Sequence, residues 1–158
     1  VTCAKHLTRV HGRHSSAATM AVTLQRSVEF SMIDMANVAY YPRIYDLAHR
    51  FFESAWEQMC GVSYVTMITE RNLGFPVVNV TSEFHAPLRY GDIISAQLSI
   101  SHLGTSSLGW TYRFENQDGV VVWTSQQTTV CVNMETMKKQ AIPNDLREGL
   151  DEHVQGSD

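Results

Sequence analysis

The chain has 158 residues, 44% of them hydrophobic and 18% charged, with a formal net charge of −4. That is enough chain for one domain with its own core, and no apolar stretch approaches the roughly 20 residues a membrane-spanning helix needs. The charge is uneven: Lys5, Arg9 and Arg13 fall in residues 1–19, which hold no acid, and setting these three aside leaves 9 basic against 16 acidic residues. A fold this acidic lacks the basic face that nucleic acid requires.

Residues 1–19 show no helical or strand period. Their three histidines, His6, His11 and His14, fit a disordered tail better than a metal site. The stretch contains Arg and Ser but no acid, a faint likeness to a transit peptide. The simpler expectation is that the functional chain starts at Met20 and that 1–19 is a disordered or non-functional extension. Cys3, Cys60 and Cys131 are odd in number and widely spaced, with no CxxC pair. Neither a disulfide framework nor a zinc site follows, and a reducing, cytoplasmic compartment is expected.

"VTLQRSVEF" (22–30) has β-branched residues and partial alternation and reads as a first strand. Asp34 falls in the loop after it. Pro42 suits the first turn of a helix, where its missing N–H is no loss. Ile44, Leu47, Ala48, Phe51, Phe52, Ala55 and Met59 recur at steps of three and four, a broad apolar face, and Gly61 is a natural stop. Everything after Gly61 reads as strands: 77–86, 92–103, 109–115 and 120–132. Turn signals sit at Arg89-Tyr90-Gly91-Asp92, Gly104-Thr105-Ser106 and Asp118-Gly119. The chain after Asn133 is polar and is expected to be only partly ordered. One long helix and about five strands joined by short turns imply an α+β plan, an antiparallel sheet curled around a single helix. One helix cannot cover a wide sheet, so surface is left for a second copy and a homodimer or homotetramer is expected. The domain is placed at 20–146, with 147–158 as a polar tail.

Local sequence leaves Asp34 two readings: a loop aspartate closing an Asx-turn or capping a helix, or a catalytic carboxylate. The order of motifs favours the second. "VEFSMIDMANVAYYPRIYDLAHRFFE", "VNVTSEFHAPLRYGDIISAQLSI", "GTSSLGWTYRF" and "VCVNMETMKKQAIP", spanning Leu24 to Leu146, together resemble the hotdog-fold acyl-CoA thioesterases of the 4-hydroxybenzoyl-CoA thioesterase type, and also the acyl-CoA thioesterase associated with the Tol-Pal system. The family signature is an aspartate seven residues before the residue at the helix start. The family has Asp-x-x-Gly, where this chain has Asn37. Asparagine tolerates the left-handed backbone better than most residues. The polar pair that often precedes the aspartate is replaced by Met32 and Ile33.

The resemblance implies thioester hydrolysis of an acyl-CoA without a metal or cofactor. Such a reaction needs an attacking group and a stabilised oxyanion. Asp34 would attack the carbonyl or activate water. A helix N-terminus offers unpaired N–H groups at a positive dipole end. Pro42 has none to give, so the donors are those of Tyr41, Arg43 and Ile44, and Tyr41 is assigned, as the family implies. Asn37 and Tyr40 fall beside the substrate. Coenzyme A phosphates need cations, and the candidates are Arg89 and the adjacent pair Lys138 and Lys139. The resemblance puts Thr105, Ser106 and Ser107 beside the pantetheine or nucleotide, across a subunit boundary. "GTSSLG" (104–109) lacks the Gly-Lys-Ser/Thr ending of a phosphate loop. An acyl pocket would draw on Tyr40, Tyr45, Phe51 or Phe75.

Other chemistry is poorly supported. Asp46, Glu53 and Glu57 sit on the polar side of the helix, His49, His85 and His102 lack metal-ligand spacing, and there is no GxSxG elbow. Cys60 and Cys131 read as packed thiols. Two alternatives remain: a hotdog protein that binds acyl-CoA or an acyl carrier without turning it over, and a non-hotdog α+β binding domain, which would begin with several helices.

Overall fold

Tyr40 precedes helix α1 (Tyr41–Cys60) in an extended conformation, Pro42 sits in the first turn, and Gly61 ends the helix at φ 66° with its N–H on the Glu57 carbonyl (2.9 Å). These local signals cut a 20-residue helix out of the sequence. The computed structural model describes residues 21–156. The extension 1–19, with Cys3 and its histidines, and the start at Met20 lie outside the described residues.

Helix α1 buries Ile44, Ala48, Phe51, Phe52, Ala55, Trp56 and Met59. Leu47, expected on this face, is only partly covered, and Trp56 takes a central place instead. Its ring packs on Phe75 at 4.5 Å and on Trp110 at 5.5 Å. Burying each large side chain contributes about 1.5–3 kcal/mol, so this aromatic seam fixes the helix on the sheet.

Among the described residues, five strands form the main antiparallel sheet: β1 (Val22–Ser27), β3 (Val77–Phe84), β4 (Ile93–Leu103), β5 (Ser107–Glu115) and β6 (Val121–Val130), in the order β1-β4-β5-β6-β3. Register pairs Trp110 with Gln127, Tyr112 with Ser125 and Phe114 with Trp123, which puts all of them on the helix side. Strand β3 is an edge, and its Val77, Val78, Val80 and Phe84 are exposed. Tyr45 reaches over Trp123 (5.7 Å) and Phe52 over Trp110 (5.1 Å), so α1 runs along β6 from its first residues towards its last.

Two expectations fail. The stretch after Gly61 is not all strand: α2 (Tyr64–Thr69) follows at once, capped by the Ser63 hydroxyl, which accepts the Thr66 N–H (3.1 Å). The chain from 134 to 156 is ordered. The short strands β2 (Leu73–Gly74) and β7 (Val132–Asn133) pair with each other, and α3 (Asn144–Asp151) buries Leu146 and Leu150. Arg71 holds Asp145 through two bonds of 2.7 and 2.8 Å. Strand β4 outruns β1, whose Val22 stops opposite Leu98. Residues 153–155 take over that lane, with the Ile100 N–H on the His153 carbonyl (2.9 Å) and the Gln155 N–H on the Ile100 carbonyl (2.7 Å).

Helix α3 meets α1 at Gly149. A methyl group there would run into the Met59 carbonyl oxygen and the Cys60 Cα, both backbone and unable to yield. Gly149→Ala is therefore expected to destabilise the protein by about 1–3 kcal/mol in urea unfolding. A loss of under about 0.5 kcal/mol would mean that α3 does not seat as described.

Candidate active site

The loop between the first strand and α1 is a narrow backbone hairpin. Ile33 bridges Ala39. The Asp34 N–H donates to the Val38 carbonyl (3.1 Å), the Asn37 N–H to the Asp34 carbonyl (3.0 Å) and the Tyr40 N–H to the Met32 carbonyl (2.8 Å). From outside, the Ala39 N–H donates to the Leu88 carbonyl (2.7 Å). Asn37 takes φ 60°, the left-handed conformation its position demands. The Arg89 guanidinium donates to the Asn37 carbonyl (3.3 Å), so Arg89, a phosphate candidate from sequence, lies against this loop.

Asp34 does form the Asx-turn: its Oδ1 accepts the Ala36 N–H at 2.8 Å. Its other oxygen makes no hydrogen bond among the described residues, and the side chain is exposed in the single chain. At the helix start the Arg43 N–H turns back to the Tyr40 carbonyl (2.8 Å), and the Tyr41 N–H has no acceptor among the described residues. No acid stands in the first turn to offset the dipole. Tyr40 and Tyr41, both exposed, pack edge to face at 5.5 Å.

A groove of about 270 Å³ opens beside this loop, lined by Val38, Ile44, Phe84, Pro87 and Leu88 among others. Tyr45 touches Phe84 edge-on at 6.3 Å. Phe51 and Phe75, also expected in an acyl pocket, are fully buried in the core, Phe75 against Trp56. Phe84 was missed as a groove wall. Its signal in the sequence was its place on the apolar side of the strand just before Ala86-Pro87.

Asp34, Asn37, Tyr40, Tyr41 and Arg89 thus come together at one end of the sheet. Thr105, Ser106, Ser107, Lys138 and Lys139 come together at the other. The Cys131 N–H donates to the Ser106 carbonyl (2.7 Å), the Ile142 N–H to the Thr105 carbonyl (2.9 Å) and the Asn133 N–H to the Lys138 carbonyl (2.9 Å). The length of β4 separates the two groups, roughly 30 Å by strand rise. A single chain does not join them.

Other titratable side chains make local pairs. Asp46 pairs with Arg50 (3.3 Å) and Glu53 with His49 (3.2 Å) on the exposed helix side. His85 Nε2 lies 2.9 Å from the Thr124 hydroxyl. Among the described residues no cluster of His, Cys, Asp and Glu could hold a metal, and no helix is long and apolar enough to cross a membrane.

With this geometry in view, the matches to known proteins are informative. Residues 28–150 match the model of the thioesterase-like superfamily. The chain belongs to that superfamily and has its hotdog fold. It is 25% identical over 132 residues to 1,4-dihydroxy-2-naphthoyl-CoA hydrolase of Nostoc punctiforme, covering 84% of this chain and 88% of that one. It is 29% identical over 99 residues to acyl-CoA thioester hydrolase YbgC of Escherichia coli, covering 61% and 73%. The solved structure of gentisyl-coenzyme A thioesterase BH1999 superimposes with a TM-score of 0.74 at 25% identity, covering 82% of this chain and 99% of that one.

The thiols stand apart from this chemistry. Burial, helped by Asp145, pushes Cys60 from its ordinary 9.0 up to about 11, and burial also raises Cys131. Native Cys60 is therefore a thiol at pH 7.5, and iodoacetamide should label it at least about tenfold more slowly than in urea. Because the folded value is the higher one, the stability Cys60 contributes is intact below about pH 9 and is lost as pH rises towards 11. Equal labelling rates in native and unfolded protein would contradict this placement.

Proposed function

We propose that the chain hydrolyses the thioester bond of an aromatic acyl-CoA, releasing the free acid and coenzyme A. The observation that carries the reading is the pairing, on one short loop, of a carboxylate and a helix-tip N–H, each with one hydrogen-bonding position unfilled among the described residues. The thioester carbonyl oxygen sits on the Tyr41 N–H, where a positive dipole end stabilises the developing oxyanion. Asp34 either attacks the carbonyl carbon itself, so that the C–S bond breaks, coenzyme A leaves and water then hydrolyses the mixed anhydride, or takes a proton from a water that attacks the carbon, the C–S bond then breaking and coenzyme A leaving with a proton. Arg89 and the strained Asn37 keep the loop in place. The acyl group enters the groove along Phe84, with Tyr40 at its mouth. An aromatic acyl group is favoured because relatives and neighbours at about 25% identity are named for dihydroxynaphthoyl and gentisyl thioesters.

The site is completed by a second copy. Strand β3 is a bare edge with exposed Val77, Val78 and Val80, a surface that seeks a strand. Antiparallel pairing of two β3 edges about a two-fold axis lays the first residues of one strand beside the last residues of the other. That brings the turn at Thr105–Ser107 and the pair Lys138 and Lys139 of the partner subunit to the Asp34 end. There the lysines meet the phosphates of coenzyme A.

Asp34→Asn should lower kcat at least about a hundredfold with an unchanged unfolding curve. Near-full activity in that variant would remove the assignment. A second expectation follows from the shared site. Mixing Asp34→Asn with a Lys138→Ala, Lys139→Ala double variant should raise activity to about a quarter of wild type, since half the dimers are mixed and one of their two sites is intact. Activity no higher than the mean of the two separate samples would place every site within one chain.

A further inference from the structure

The end of β1, the turn at Phe30–Met32 and the first half of α1 enclose a cavity of about 140 Å³. It shares no lining residue with the groove at Phe84. On α1 its wall is Arg43, Asp46, Leu47 and Arg50, spaced i, i+3, i+4 and i+7 along one stripe of the helix. The strand and the turn contribute Arg26, Ser27, Glu29 and Ser31. Three arginines thus border one small space in a chain whose net charge is −4.

The acids beside them do not neutralise this set. Asp46 is turned to Arg50 (3.3 Å), an exposed pair weakened by solvent. Arg26 reaches only the carbonyl of its neighbour Gln25, at 3.4 Å, and the Arg43 guanidinium has neither a carboxylate nor a hydrogen-bond partner among the described residues. Glu29 has no ion-pair partner among them either. The lining therefore sets three cations against two anions, and the Arg26 and Arg43 donors stay open. Arginines brought together without carboxylates repel one another until a counter-charge joins them.

Size and donor chemistry narrow what can enter. The cavity is smaller than the roughly 300–1,000 Å³ of organic-ligand pockets and several times the share of one water, about 30 Å³. A compact anion fits. Donors come from two walls, so a tetrahedral ion with an oxygen on every side uses them better than a planar carboxylate, and the guanidinium fork matches phosphate oxygens. The position has a consequence. Met32, on the cavity wall, accepts the Tyr40 N–H (2.8 Å) and so belongs to the hairpin that carries Asp34. An anion held by both Arg26 and Arg43 ties β1 to α1 beside that hairpin. We infer that the cavity is a binding site for free phosphate, separate from the site of the thioester, and that the bound ion braces the Asp34 loop. The site does not depend on the thioesterase reading.

The test is titration calorimetry with sodium phosphate, against sodium chloride of equal ionic strength, on wild type, Arg26→Gln, Arg43→Gln and Glu29→Gln. Wild type should bind a single phosphate per chain, and saturating coenzyme A should leave that binding unchanged. Each arginine variant should weaken it by about tenfold or more. Glu29→Gln removes the unpaired carboxylate and should tighten it by about threefold or more, an effect that loss of a merely structural residue would not give. Hydrogen exchange at the Asp34 and Tyr40 amides should slow in phosphate. Absence of saturable heat in wild type would overturn the site, as would arginine variants that bind like wild type or a Glu29→Gln that does not bind more tightly. Displacement by coenzyme A would overturn its separateness, and unchanged exchange would overturn the bracing of the loop.

Discussion

The electropositive tip of α1 is held against the Asp34 loop by backbone hydrogen bonds, and the rest of the site depends on that constraint. Side chains contribute little to the junction: Tyr40 does not cap the helix through its ring. The Ile33 to Ala39 bridge, the Tyr40 N–H on Met32 and the Ala39 N–H on Leu88 fix the geometry. A site built this way is rigid before substrate arrives, which is what an oxyanion donor needs to act without reorganising. Met32 and Ile33 join the hairpin through main-chain bonds.

A second constraint is the width of the sheet. One helix covers the inner face from β1 across to β6 and leaves the β3 edge bare, with valines and Phe84 in solvent. The same shortage of cover that asks for a second copy also opens the cleft that an acyl group would fill. The outer face tells the opposite story. It carries Thr111 bonded to Gln126 (3.1 Å) and Arg113 bonded to Glu115 (2.7 Å), a surface at ease in water. The proposed assembly and the proposed binding both draw on β3, the one through its edge and the other through its inner face.

How much of this could be read from the chain depends on whether the signal is local. Pro42, the apolar face of α1 and Gly61 act within a few residues, and the helix came out nearly to the residue. The Asp118-Gly119 hairpin did too, with Gly119 at φ 74°. Helix α2 was lost because Val65, Thr66, Ile68 and Thr69 are β-branched, while the deciding interaction is a single capping hydroxyl at Ser63. Helix α3 was lost because only Leu146 and Leu150 mark its apolar side, and its stability comes from Gly149 lying on α1 and from Arg71 gripping Asp145. Those contacts are long-range and leave no periodicity. Within the candidate site, Asp34, Asn37 and Tyr41 could be recognised because they share one loop. The distance of Thr105–Ser107 and Lys138–Lys139 from them could not, since strand order decides it.

The claim at the centre of this account is that one thioester carbonyl is shared by Asp34 and the tip of α1, with the nucleotide reaching the neighbouring copy. A crystal structure with an aryl-CoA analogue in which a methylene replaces the thioester sulfur tests it most directly. The account predicts the ketone oxygen within about 3.2 Å of the Tyr41 nitrogen and an Asp34 oxygen within about 3.5 Å of the carbonyl carbon. It also predicts the phosphates at Lys138 and Lys139 of the partner subunit. An analogue bound with its carbonyl away from the helix tip, or held wholly by one chain, would contradict it.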